Sequence, residues 1–287
     1  MKQELVRINS SDNIEQVGIL YNPNTETKRI VIHVHGLAGN FYENRFLDIL
    51  AKTYTENGLA FLTFNNRGNG YVTDLLKGND FTVIGACFER FKDCLLDIEG
   101  VINWVKEKGY SEIILEGHSY GCNKVLYYYH HKKDDSIKKI VLLAPCDTAG
   151  ESKKFLSEEE YNRALSESTR LVNENRADEL IDFSVMTNGK VTAGTYYYGF
   201  IPGSDVDFIR YSDGENGESD ILKNVSVPTS VIFGDEDECV LTESIEVVKK
   251  YLINNIKNCT LKVIPGANHL YANKYKELGE AIKEIVI

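Results

Sequence analysis

Several functional classes are marked by residues this chain has few of. Its 287 residues include one tryptophan, two methionines and five prolines. The six cysteines (Cys87, Cys94, Cys122, Cys146, Cys239 and Cys259) form no CxxC pair and no zinc-type spacing. Neither a disulfide framework nor a structural zinc site is expected from that pattern. In stretches such as "LLAPC" a thiol behaves as a small buried hydrophobe. No apolar run approaches the length of a bilayer span, and the opening "MKQELVRINSSDNIEQ" lacks the apolar stretch of a secretory leader. Cationic side chains are in deficit, 32 Lys and Arg against 43 Asp and Glu, for a formal charge of −11. Such a surface repels nucleic-acid phosphates and gains nothing from an anionic membrane. The expectation is a reduced, cytoplasmic protein that acts on a small molecule, with oligomeric state left open.

What is present is an alternation. "RIVIHVHG" (29–36), "LAFLTFN" (59–65), "SEIILEG" (111–117), "IKKIVLLAP" (137–145), "TSVIFG" (229–234) and "CTLKVIPG" (259–266) are short and apolar, and most end at Gly, Pro or Asn. They read as buried parallel strands. Between them lie helical patterns. Phe88, Phe91, Leu95, Ile98, Ile102 and Val105 recur at steps of three and four, and "NRFLDILAKTYTENG", "SIEVVKKYLINNI" and "KYKELGEAIKEIV" behave alike. Strand–helix alternation predicts an α/β fold with a doubly wound, mostly parallel sheet. "ELVRINS" and "EQVGILY" are expected to add an antiparallel pair at the amino end. Residues 150–220 break the rhythm with a charged helix opened by the capping box Ser157–Glu160 and an aromatic "TYYYGF". An insertion of that length between core strands predicts a cap or lid, dividing the chain into core (1–149), cap (150–220) and core (221–287).

The stretch "LEGHSYGCNKV" places Ser119 between Gly117 and Gly121 at a strand–helix junction. In a G-x-S-x-G turn the serine backbone is strained and the hydroxyl projects above the carboxyl edge of the sheet. The amide of Tyr120, at the helix start, then faces the place where an oxyanion forms. A serine needs a base, and that base needs an orienting acid. Of the six histidines, His118 is inside the turn with its side chain expected to point away. His130 and His131 end a helix, and His33 and His35 belong to a strand end. His269, on the loop after the last strand, is the expected base. The acid is expected on the loop after "TSVIFG", where spacing does not separate Asp235 from Asp237, with Asp147 a third candidate.

Together "HG-x" near the start, GHSYG, GDEDECV and GANH resemble the α/β-hydrolase superfamily of serine hydrolases, over about residues 28–148 and 227–285. Within it, "HGLAGNFYEN", "NNRGNG" and "VLLAP" are most similar to small intracellular cinnamoyl/feruloyl-type esterases, and "GDEDECV" to siderophore-type esterases. The resemblance implies Ser119, Asp237 and His269 as the triad and the amides of Leu37 and Tyr120 as the oxyanion hole, with Gly36 leaving room for substrate. It implies hydrolysis of a small or medium carboxylic ester through an acyl-enzyme, with no metal or organic cofactor. Asn65-Asn66 depart from the acidic residue that relatives often carry before Arg67-Gly68. Amide, thioester, lactone or carbon–carbon hydrolysis on the same triad is the alternative chemistry, and a non-catalytic ligand-binding homologue is the alternative class. His33-x-His35 suits a metal pair, but no further ligands complete it. In the insertion, strand alternation would send Tyr196 and Tyr198 to one face, as substrate-binding candidates, and Tyr197 to the other.

Overall fold

The computed structural model describes residues 1–184 and 189–287. The amino-terminal pair, β1 (Lys2–Asn9) and β2 (Glu15–Asn22), is antiparallel as expected. Then come β3 (Arg29–Val34), α1 (Phe46–Glu56) and β4 (Ala60–Phe64). A hairpin of β5 (Thr73–Lys77) and β6 (Asp80–Ile84) follows, then α2 (Cys94–Glu107), β7 (Glu112–His118), α3 (Tyr120–Lys132) and β8 (Ile137–Leu143). The main sheet has the order β1-β2-β4-β3-β7-β8 and continues through β11 (Thr229–Gly234) and β12 (Cys259–Ile264). From β4 to β12 every pairing is parallel. The inner parallel strands β3, β4 and β11 are buried along their whole length, apart from half-buried Arg29, whereas the parallel β12 forms the far edge of the sheet. Strands covered on both faces carry continuous apolar runs rather than alternating ones.

Between β8 and β11 lie α4 (Thr148–Phe155), α5 (Glu158–Asn173), the pair β9 (Leu180–Ser184) and β10 (Lys190–Thr192), α6 (Ala193–Gly199) and the short α7 (Asp220–Lys223). Part of this stretch has an apolar cluster of its own, with Ala164, Leu171, Ile181, Val191, Tyr196 and Phe200. The capping box is made as the sequence predicts, Ser157 and Glu160 each closing the other's backbone. After β11 the chain completes the sheet with α8 (Ile245–Asn255), β12 and α9 (Tyr275–Ile285). Among the described residues no helix is long and apolar enough to cross a membrane.

Two sequence expectations fail locally, and one hairpin goes unread. The helical stripe does not extend back to Phe88 and Phe91. Arg90 is extended (φ −102°, ψ 117°), so only a three-residue 3-10 turn, Phe91–Asp93, precedes α2. The β5–β6 hairpin was legible in "LLKGNDF", whose Gly78 has φ +63°, because a two-residue Gly-Asn turn suits the twist of paired strands. The aromatic "TYYYG" is helix α6 rather than strand. Thr192 caps it by accepting a hydrogen bond from the Thr195 amide. Helical spacing replaces alternation. Tyr196 and Phe200, four apart, are buried and stacked, whereas Tyr197 and Tyr198 are both half-buried.

Candidate active site

Ser119 connects the end of β7 to α3 with φ 57° and ψ −130°, a conformation costing a non-glycine residue about 1–3 kcal/mol. The neighbourhood fixes it there. The Ser119 amide donates to the Leu143 carbonyl (2.9 Å), and the Cys122 amide donates back to the Ser119 carbonyl (2.8 Å). The flanking glycines are required by space. A Cβ on Gly121 would lie 2.1 Å from the Val34 carbonyl oxygen, and one on Gly117 would lie 2.4 Å from the Gly121 carbonyl oxygen. A Cβ on Gly36 would meet the Ser119 Cβ at 2.8 Å, so the loop after β3 lies directly against the serine. Leu37 follows on that loop and Tyr120 opens α3. Among the described residues neither backbone N–H has an acceptor.

Buried polar groups hold this arrangement. His35 donates from Nδ1 to the Gly36 carbonyl (2.8 Å), and its Nε2 accepts from the Asn66 amide (3.1 Å). An amide can only donate, so the proton is on Nδ1. Burial and the nearby Lys124 push the imidazole down to about 3, keeping it neutral. Asn65 Oδ1 accepts from the Phe41 amide (3.0 Å), and Asn66 Oδ1 accepts from the Gly68 amide (3.0 Å) and Lys124 Nζ (3.2 Å). The two asparagines therefore tie the Leu37 loop to α3. Lys124 pairs with Glu89 at 2.5 Å inside the protein, and Arg67 pairs with Asp97, Asp93 and Asp12. His33 is bonded to Glu116 (2.7 Å), which also accepts from the Tyr54 hydroxyl. His33 and His35 thus serve separate networks.

The structure separates the three acids by what each holds. Asp237 is fully buried, and its Oδ1 lies 2.9 Å from His269 Nδ1. The same oxygen accepts from the Cys239 and Val240 amides, both at 3.0 Å. Asp235 instead bonds the Gly266 amide (2.5 Å), pinning the loop that follows β12. Asp147 caps α4 through the Gly150 amide and also accepts from the Ser212 amide. Burial pulls the His269 imidazole down, but the hydrogen bond and charge of Asp237, helped by Cys239, carry it well above its ordinary value. Asp237, Cys239 and His269 also have donor atoms within 4.8 Å of one another, the spacing of a metal set. Asp237 Oδ1 is committed to three hydrogen bonds, while its Oδ2 has no partner among the described residues.

His118 does not point away from the site. It is buried against His269, with ring centroids 4.9 Å apart, and its Nε2 donates to the His269 carbonyl (2.9 Å). Burial, with the nearby His269 adding to it, holds its imidazole far below the ordinary value, so it stays neutral. His118 therefore fixes the backbone of His269 beside the serine turn. The Ser119 hydroxyl is directed at Cys146 Sγ (3.6 Å), and among the described residues no hydrogen bond joins it to His269. Rotation about one side-chain bond re-aims a serine, and such bonds commonly tighten only with substrate in place.

Two further groups near the serine escaped sequence reasoning. Cys146 reads as a small buried hydrophobe, and Glu151, in the first turn of α4, carries no signal in the sequence. Glu151 is fully buried, neither carboxyl oxygen has a hydrogen-bond partner among the described residues, and burial pushes its acid up to about 8 despite the proximity of His269. The folded acid thus holds its proton above the ordinary glutamate value of 4.5, and stability should fall as pH rises from about 4.5 to about 8. Glu151→Gln is expected to remove that fall, so its melting temperature should gain on the wild type between about pH 5 and about pH 8. A difference independent of pH, read by calorimetry, would mean that the carboxyl is already ionised inside the folded protein.

Tyr196, fully buried, shares a hydrogen bond between its hydroxyl and Ser152 Oγ (2.7 Å) and stacks on Phe200, which stacks on Tyr120. Tyr197 and Tyr198 meet edge to face and line a separate surface hollow with Lys92, Ile201 and Asp205.

The comparisons with known proteins agree on architecture. Among solved structures the chain is similar to Est1E from Butyrivibrio proteoclasticus, at 21% identity and TM-score 0.67 over 98% of this chain and 96% of that one. The same protein with ferulic acid bound gives 20% and 0.66 over 97% of each chain. An alpha-beta serine hydrolase homologue from Coxiella burnetii gives 17% and 0.59 over 100% of this chain and 99% of that one. No curated protein matches significantly. The family model described as "alpha/beta hydrolase fold" matches residues 29–271, which include the strand–turn–helix around Ser119 and the loops of Asp237 and His269. The chain belongs to the alpha/beta hydrolase family.

Proposed function

We propose that this protein is a serine hydrolase that cleaves a carboxylic ester through an acyl-enzyme. The observation that carries the reading is the 2.9 Å Asp237–His269 bond, held beside a serine in a strained turn. His269 takes the Ser119 proton through Nε2 as the hydroxyl attacks the ester carbonyl, and the amides of Leu37 and Tyr120 receive the developing oxyanion. Asp237 keeps the proton of the neutral imidazole on Nδ1 and supports the charge that forms on it. The tetrahedral adduct collapses as His269 returns the proton to the departing alcohol. Water, deprotonated by His269, then releases the acid and restores Ser119. The stretch between β8 and β11 acts in this reading as a cap; Tyr198, on its separate surface hollow, stays apart from the substrate, and Tyr196 shapes specificity. Tyr196 does so from behind, by way of the Phe200–Tyr120 stack.

A fluorophosphonate probe tests the central claim. It should label the protein once, at the peptide carrying Ser119, and abolish hydrolysis in a screen of p-nitrophenyl acyl esters, hydroxycinnamate esters and cyclic ester siderophores. A folded protein that takes no label and turns over none of these would fit a ligand-binding homologue and overturn the reading.

A further inference from the structure

Glu151 is a fully buried acid whose two carboxyl oxygens have no hydrogen-bond partner among the described residues. Its carboxyl lies among His269, Asp237, Asp147 and the Cys146 thiol, and that thiol is 3.6 Å from the Ser119 hydroxyl. The thiol supplies no strong bond of its own, since it is directed at the Ala144 carbonyl (3.3 Å). An unbonded buried polar group costs free energy that folding alone has no reason to spend. Nor is the position accidental. Helix α4 is capped by Asp147, joined to α6 by the Ser152–Tyr196 bond, and anchored by Lys154 Nζ to the Glu238 and Leu241 carbonyls. Both carbonyls lie on the loop just after Asp237, so α4 is tied to the segment that carries the proposed triad acid.

Resting on the esterase reading, we infer that Glu151 is a substrate-binding residue that recognises a hydroxyl group carried close to the scissile ester. A protonated carboxyl offers one donor and one acceptor, and a hydroxyl offers the same pair in return. Each then satisfies the other without bringing a net charge into the site. The chemistry disfavours the other candidates. A carboxylate on the substrate would meet Asp237 and Asp147. An ammonium would stand beside His269 at the moment the imidazole becomes a cation. The burial that holds Glu151 protonated at neutral pH supports the same partner.

Two matched pairs of esters test the assignment, methyl butyrate against methyl β-hydroxybutyrate and ethyl butyrate against hydroxyethyl butyrate. They place the hydroxyl on the acyl side and on the alcohol side respectively. The wild type should prefer the hydroxylated member of at least one pair by about tenfold or more in kcat/KM. Glu151→Gln, which keeps a donor and an acceptor, should retain most of that preference, and Glu151→Met should lose it. The wild-type ratios alone can overturn the inference, whether or not the Met variant folds. Equal turnover within both pairs would do so, as would a larger preference for methyl β-aminobutyrate, which would make the pocket a cation site. Equal turnover with Ser119 labelled by fluorophosphonate overturns this inference and leaves the esterase reading standing. No turnover and no label overturns both.

Discussion

Ser119→Ala should lose about 10⁴- to 10⁶-fold in kcat on any ester the wild type hydrolyses. The loss follows from removing the only atom that forms the acyl bond. The fold should survive it, because the turn is held by the Ser119 amide and carbonyl and by the close approach of Gly36, Gly117 and Gly121, none of which involves the hydroxyl. Alanine inherits the positive φ at a similar backbone cost, so the melting temperature should move little. The measurement is steady-state turnover together with a thermal melt of the same preparation. Wild-type-like turnover from a variant free of contaminating enzyme would end the serine mechanism. A collapse in melting temperature would show that the hydroxyl also holds the turn.

Asp237→Asn should cost about 10⁴-fold in kcat, while Asp235→Asn should cost far less. Asp237 Oδ1 accepts three hydrogen bonds at once, from His269 Nδ1 and the Cys239 and Val240 amides. An asparagine can satisfy the two amides only with its oxygen, which leaves the carboxylate charge missing, or turn its NH₂ toward His269 and force the wrong tautomer. Asp235 bonds a backbone amide on the β12 loop, so its loss should loosen the His269 loop without removing the orienting charge. The pH profile separates the two effects. A general base must be deprotonated, and Asp237 raises His269 above the ordinary histidine value of 6.5, so the acid limb of wild-type kcat/KM should lie above that value. In Asp237→Asn the limb should move down, and in Asp235→Asn it should stay. The reverse ranking would assign the triad acid to Asp235. Indifference to both would make Asp147 the next acid to test.

The core of the fold was legible because its signals are local. Each parallel strand announced itself as an apolar run ended by Gly, Pro or Asn, and helices α1, α8 and α9 by their apolar spacing. Errors came where two local signals compete. Phe88 and Phe91 keep helical spacing, yet the extended Arg90 between them separates Phe88 from the 3-10 turn that leads into α2. "TYYYG" has strand composition, yet the Thr192 cap starts a helix and sends Tyr196 into the interior with Phe200.

The strand–helix core, the glycine-flanked serine and the late loop histidine could be read from residue order alone, because backbone crowding and hydrophobic periodicity act between near neighbours in the chain. Three-dimensional packing was needed to show which of three acids meets His269, that His118 supports the His269 backbone instead of pointing away, and that Glu151 is buried with no hydrogen-bond partner among the described residues. The reason is range. Hydrogen-bond direction and desolvation depend on which groups converge across the sheet edge from β7, β8, β11 and β12. No spacing within "GDEDECV" or "DTAGESKK" carries that information.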